Sequence, residues 1–428
     1  MKTKIILTII ALLTVTFNSA QTNSNIDKKQ EKEIQKLIKN KQLKAAFTTI
    51  ETIEPKTTQR LIELTEIEAP PFKEEVRAKR FAEYFSALGL DSVWIDEVGN
   101  VLGLLKGTEG KRTVALDAHL DTVFPEGTDV KVRIQNDTLY APGIGDDTRG
   151  LSMVLTLIEA IKVNGIHPKD DVLFVGSVGE EGLGDLRGVK HLFREGGPRI
   201  DSWIAIDGGA IGRVNNKGLG SYRYLVTFEG PGGHSWGAFG LANPHHALGQ
   251  AISNFVDAAD RYTAEGPKTS YNVGVISGGT SINSIPFESI MEIDIRSVDP
   301  SRLDAMEALL NEAVQKALSH QNQIKRRGAD LTVTIDKIGD RPSGELPDDL
   351  PLIQKTLAAT MLFGETPYLT RGSTNSNIPI AKGIPAVTIG RGGDGGDAHS
   401  LTEWWTNKEG HKAIQLALLI LLAEAGMD

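Results

Sequence analysis

Short apolar runs that alternate with helical periodicity, and that repeatedly break off at an acid or a histidine, constrain this chain more than any other feature. "VALDAHLD" arrives at His119 and Asp121, "VLFVGSVGEE" at Glu180 and Glu181, "WIAID" at Asp207, and "PAVTIGRGGDGGDAHS" at His399 after a glycine loop. Runs of this length rich in Val, Ile and Leu read as buried strands. Between them "GLSMVLTLIEAIKVNG" carries the apolar spacing of a helix. Strands alternating with helices predict an α/β fold, a mixed and mostly parallel sheet flanked by helices. In such a sheet, ligands bind beyond the carboxyl ends of the strands. Residues far apart in sequence can therefore meet there, joined by Asp146 from "PGIGDDTRG", a loop opening a helix.

The pattern changes near Gly218. "SYRYLVTFEG" and "SIMEIDIRSV" alternate polar and apolar residues, while "NPHHALGQAISNFVDAAD" and "PSRLDAMEALLNEAVQKALSHQ" are amphipathic helices. Helices on one face of an antiparallel sheet suit this order. The expected organisation is a charged leading helix at 21–50, a larger domain split into 51–217 and 339–428, and an inserted domain at 218–338.

Composition narrows the function. A net charge of -9, without basic runs, disfavours binding to nucleic acid or anionic membranes. With Cys 0, a metal must be held by histidine and carboxylates. Residues 1–20 combine Lys2 and Lys4, an apolar stretch and small residues ending at Ala20, the pattern of a secretory signal. The expectation is an exported protein, periplasmic or secreted, with no stable membrane span after cleavage.

Five motifs in order, "HLDTV", "GIGDDTRG", "GEEG", "IDGG" and "AHS", resemble the co-catalytic zinc hydrolases that include peptidase T, carboxypeptidase G, aminoacylase and succinyl-diaminopimelate desuccinylase. The resemblance runs from about Thr57 to the C-terminus. It implies two Zn²⁺ per chain, with Co²⁺ or Mn²⁺ as substitutes. Asp146 would bridge them, His119 and Asp207 would complete one, and Glu181 and His399 the other. Glu180 would be the general base, and Asp121 the carboxylate orienting an imidazole. A base that moves a proton cannot also give its lone pairs to a metal, which explains two adjacent glutamates. The resemblance further implies a ferredoxin-like α+β lid that forms a homodimer. In that lid His234 would polarise the scissile carbonyl, and Asn283 and Arg296 would bind a substrate carboxylate.

The implied reaction is cleavage of an amide in a small peptide, with N-acyl amino acid deacylation as the alternative substrate class. Two other readings need different features. "GHSWG" matches a serine nucleophile elbow at Ser235, which requires a sharp strand-to-helix turn. A non-catalytic binding homologue would be expected to have lost Glu180 or a ligand. One departure from the family pattern is Asn375 in "GSTNS", where an aspartate is common.

Overall fold

A computed structural model describes residues 26–427; the signal segment at 1–20 lies outside the described residues. Four parallel strands form the centre of the main sheet. Thr113–His119 lies between Asp171–Ser177 and Ser202–Ile206, and Ala386–Ile389 follows Ser202–Ile206 on the far side. Their burial is nearly continuous on both faces, as expected when helices cover a parallel sheet. Antiparallel strands flank them: Val101–Leu105 and Ser92–Ile95 on one side, Arg213–Gly218 on the other. The sheet is therefore mixed but parallel at its centre. Because His119 pairs with Ser177 in register, the chain segments that follow those two strands emerge side by side.

The region anticipated as one solvated leading helix is two helices, Lys28–Leu37 and Lys41–Thr52. Asp27 and Asn40 cap them by accepting backbone N–H groups from their first turns. Ile34, Leu43, Ala46 and Ile50 are fully buried in the main core. The charged residues that suggested solvation occupy only the outer face.

The inserted part is a four-stranded antiparallel sheet, ordered Thr269–Gly278, Glu288–Ser297, Gly220–Glu229 and Thr332–Arg341. The helices Pro244–Thr263 and Pro300–Ile324 cover one face, giving a separate core around Tyr224, Phe228, Phe255, Met291 and Leu310. Along Glu288–Ser297 alternate residues are buried, so Met291, Ile293 and Ile295 face the helices while Asp294 and Arg296 face away. This is an α+β domain, the expected lid, inserted in the domain built on the main sheet.

A small sheet positions the remaining loops. Asp394–Gly396 and Trp404–Thr406 form a hairpin carrying His399 between them, and Trp404–Thr406 also pairs with Thr138–Tyr140. Thr138–Tyr140 leads into the loop that delivers Asp146. Arg149 stacks its guanidinium on the Trp405 ring, 4.5 Å from the centroid, fastening the following helix to this sheet.

Candidate metal centre

His119, Asp146 and Glu181 each offer one ligand atom, and these atoms lie within 4.8 Å of one another. His119 ends its strand, and its Nε2 is 3.2 Å from Asp146 Oδ1. Glu181 follows Asp171–Ser177 through a turn that needs Gly179 at φ +65°, and a Cβ there would press on Arg187 and Gly184. His399 stands at the mouth, half exposed, with Nε2 3.0 Å from Glu181 Oε1 and 3.5 Å from Asp146 Oδ2. Asp207 follows Ser202–Ile206 directly. His119, Asp146, Glu181 and His399 are thus in mutual contact in one crevice at the carboxyl end of the sheet, and Asp207 is tied to Asp146 through Arg391, whose Nη1 is 3.8 Å from Asp207 Oδ1 and 2.8 Å from Asp146 Oδ1.

Asp146 addresses both halves of this crevice, turning Oδ1 toward His119 and Oδ2 toward His399. Ligand bonds of about 2.0–2.1 Å in tetrahedral geometry separate neighbouring donor atoms by about 3.3 Å. The 3.2 Å and 3.0 Å separations in the two halves match that spacing. Two imidazoles and three carboxylates, without thiolate, make a donor set for zinc or a similar divalent ion. The residues fit two ions sharing one carboxylate.

Electrostatics express the crowding. Burial opposes charge on His119, but hydrogen bonds with Asp121 and Asp146 outweigh it and hold the ring well above its ordinary pKa. Hydrogen bonds to Asp146 and Glu181 push His399 up to about 10. Burial tends to raise Asp146, yet Arg391 and the two histidines keep it well below the usual carboxylate range. Burial pushes Glu180 up to about 8, against the pull of Arg341 and with the repulsion of Glu181.

Asp121 lies beside His119 and also serves the neighbouring turn. His119 Nδ1 is 3.0 Å from its main-chain oxygen and 3.7 Å from its carboxylate. The carboxylate also accepts the backbone N–H groups of Glu180 and Glu181 at 2.9 and 2.7 Å. It shapes the turn that presents both glutamates.

The lid residues fall into two groups. His234 and Asn283 meet at an exposed tip, where Gly233–His234 pairs with Ser284–Ile285 and the Ser235 N–H donates to the Asn283 carbonyl. His234 Nδ1 accepts from the N–H groups of Trp236 and Gly237. Arg296 lies elsewhere, on the open sheet face, held by Asp294 at 2.8 Å. On the same face Arg223 bonds Asp294 and reaches across to the Gly182 carbonyl at 2.6 Å, beside Glu181. Ser235 occupies an exposed turn, and the next helix begins only at Pro244, so the elbow geometry is missing.

Three further residues reach the centre without having been singled out in the sequence. Glu403 is fully buried and accepts the backbone N–H groups of Gly143, Gly145 and Asp146 at 2.8–2.9 Å. Arg341, at the end of the last lid strand, lies 3.2 Å from Glu180 Oε1 and also donates to the Glu180 carbonyl. Arg391 donates to Asp146 Oδ1 at 2.8 Å. Each carried a faint signal: an acid inside the apolar "TEWW", a lone arginine among glycines in "IGRGGDGG", and a charge closing the strand "IDKIGDR". Asn375, the departure noted above, is buried and donates to Asp117 and Ser177 at 2.8 and 2.7 Å.

The pattern of Peptidase family M20/M25/M40 matches residues 115–423. Carboxypeptidase G2 of Pseudomonas sp. (strain RS-16) is 26% identical over 296 residues, covering 67% of this chain and 68% of that protein. Among solved structures, aminopeptidase PepT from Bacillus cereus aligns over 86% of this chain and 97% of its own, with TM-score 0.66 and 22% identity. The YXEP protein of Bacillus subtilis, described as a dinuclear metal binding peptidase from the M20 family, aligns over 87% and 98%, with TM-score 0.62 and 16% identity. At these identities the two structures establish the fold.

Proposed function

The chain belongs to peptidase family M20/M25/M40, and on that premise we propose a di-zinc peptidase of short substrates with Glu180 as general base. The family makes it a metal-dependent enzyme that hydrolyses small peptides or amides. One observation carries the finer reading: the Asp146 carboxylate presents one oxygen to His119 and the other to His399. His119, Asp146 and Asp207 would hold one ion, and Asp146, Glu181 and His399 the other. When bound, the pair would polarise the scissile carbonyl and lower the pKa of an attacking water.

The chain's own residues supply the proton handling. Glu180 receives the proton of the attacking water and delivers it to the leaving amine. Burial, together with the repulsion of Glu181 and against the pull of Arg341, pushes its carboxyl up to about 8. Nearby positive charge, from Arg341 and from the ions, favours the ionised form a base needs. Asp121 fixes the Glu180 and Glu181 backbone, so the free and the ligating carboxylate keep their separate directions.

His234 and Asn283 serve substrate from a lid tip, and we assign them to the neighbouring subunit's site in a homodimer. The open edge of Thr269–Gly278, which exposes Val275 and Ile276, supports such pairing. Arg296 offers a fork for a substrate carboxylate. The amino-terminal segment supports export, and no helix among the described residues is long and apolar enough to cross a membrane.

Glu180→Gln tests the central assignment. It should retain two zinc ions per chain by elemental analysis while losing at least about 100-fold in kcat. Loss of metal with Glu180→Gln would mean that the roles of the two glutamates are reversed.

A further inference from the structure

Among the described residues, Arg391 is the cation bonded to the Asp146 carboxylate that is not itself a ligand candidate. Its Nη1 lies 2.8 Å from Asp146 Oδ1, 3.3 Å from Asp147 Oδ1 and 3.8 Å from Asp207 Oδ1. The residue is 8% exposed. Its backbone is pinned: Arg391 N–H donates to the Gly208 carbonyl, Gly392 N–H to that of Gly209, and a Cβ on Gly390 would come within 2.2 Å of the Ala210 oxygen. Only the side chain is free to move.

The two halves of the crevice are therefore unequal. On the half formed by His119, Asp146 Oδ1 and Asp207, a guanidinium already lies against both carboxylates. On the other half, the cation bonded to Asp146 Oδ2 and Glu181 among the described residues is His399, itself a ligand candidate. Carboxylates this buried need a positive partner when no ion is present. A divalent ion bonded to Asp146 Oδ1 at about 2.0–2.2 Å would sit against the guanidinium on the same oxygen, and the two like charges repel.

We propose that Arg391 is a built-in stand-in for one metal ion, so that the centre fills in order. The Glu181–His399 half loads first, and the second ion enters the His119–Asp207 half by displacing the Arg391 side chain. Before that, Arg391 keeps Asp146, Asp147 and Asp207 together in the metal-free protein. This order rests on the two-ion reading given above.

The test is a calorimetric titration of metal-free protein with Zn²⁺ in the presence of a competing chelator. Wild type, Arg391→Met and Arg391→Lys are compared, with the melting temperature of each metal-free form. Wild type should take up two ions in separated steps. Arg391→Met should tighten the second step about 10-fold or more and melt lower without metal, and Arg391→Lys should keep the steps apart. An unchanged or weakened second step in Arg391→Met, with two ions still bound, overturns the role of Arg391 and leaves the two-ion centre standing. Saturation at one ion in all three proteins overturns the two-ion reading itself. If Arg391→Met folds only with metal, the zinc-loaded protein is dialysed against chelator and its ions counted. Slower loss of the second ion than in wild type supports the displacement, and equal or faster loss refutes it.

Discussion

Glu403→Ala is the sharpest test of how the centre is positioned. One carboxylate accepts three backbone N–H groups, two of them fully buried, from the loop that carries Asp146, while its own chain segment carries His399 four residues earlier. Truncation leaves three donors without an acceptor. Each unsatisfied buried group costs about 1–3 kcal/mol, so the gross loss is about 3–9 kcal/mol. Some is recovered because a buried charge also disappears; burial is the main reason the Glu403 carboxyl is raised above its ordinary pKa. A net loss of about 3–5 kcal/mol remains, which at about 2 °C per kcal/mol lowers the melting temperature by about 6–10 °C. Because the freed loop holds Asp146, zinc affinity should fall together with stability. Thermal unfolding with and without zinc, plus a chelator-competition titration, reads both effects. Glu403→Gln keeps one acceptor oxygen and should fall between wild type and Glu403→Ala. A Glu403→Ala protein that melts within a degree of wild type and binds zinc equally would refute the idea that these bonds hold the loop.

Other expectations are simpler to check. Chelator should abolish hydrolysis and Zn²⁺ restore it, whereas Ser235→Ala should stay active; chelator-resistant turnover would contradict the metal chemistry. Arg296→Ala should raise KM about 10-fold for substrates with a free carboxylate and leave amidated ones nearly unchanged, and equal effects on both would remove its assigned role. The histidine His399 is raised in the folded state from 6.5 to about 10. Its contribution to stability is therefore complete below pH 6.5 and lost as pH rises toward 10. Metal-free protein should lose melting temperature across that window, and zinc-loaded protein should lose less because the ion replaces the proton. Parallel pH profiles with and without zinc would count against His399 as a ligand.

The sequence alone indicated the parallel sheet, the inserted domain and the strand-end acids and histidines, from which the family resemblance selected five as ligand candidates. The reason is local: an apolar run marks a strand, and the polar residue that ends it marks the strand's carboxyl end. His119, Glu181 and Asp207 needed no knowledge of what they touch. The paired glutamates were legible for the same reason, since a glycine turn after a buried strand exposes two neighbours to one crevice.

Tertiary structure decided which other residues reach that crevice. Glu403, Arg341 and Arg391 belong to loops and strand ends whose partners at the centre lie 161 to 260 positions away, as in the Arg341–Glu180 and Glu403–Gly143 contacts. Nothing in local periodicity reports such pairing. The same holds for the first two helices, whose charged residues outnumber their apolar ones although Ile34, Leu43 and Ile50 are fully buried. It holds also for the second role of the Asp121 carboxylate, which faces the His119 imidazole and in addition caps the two-glutamate turn, because direction is set by packing and not by spacing. Strand order dictates where the chemistry can occur; the contacts between distant segments dictate which charges balance it there.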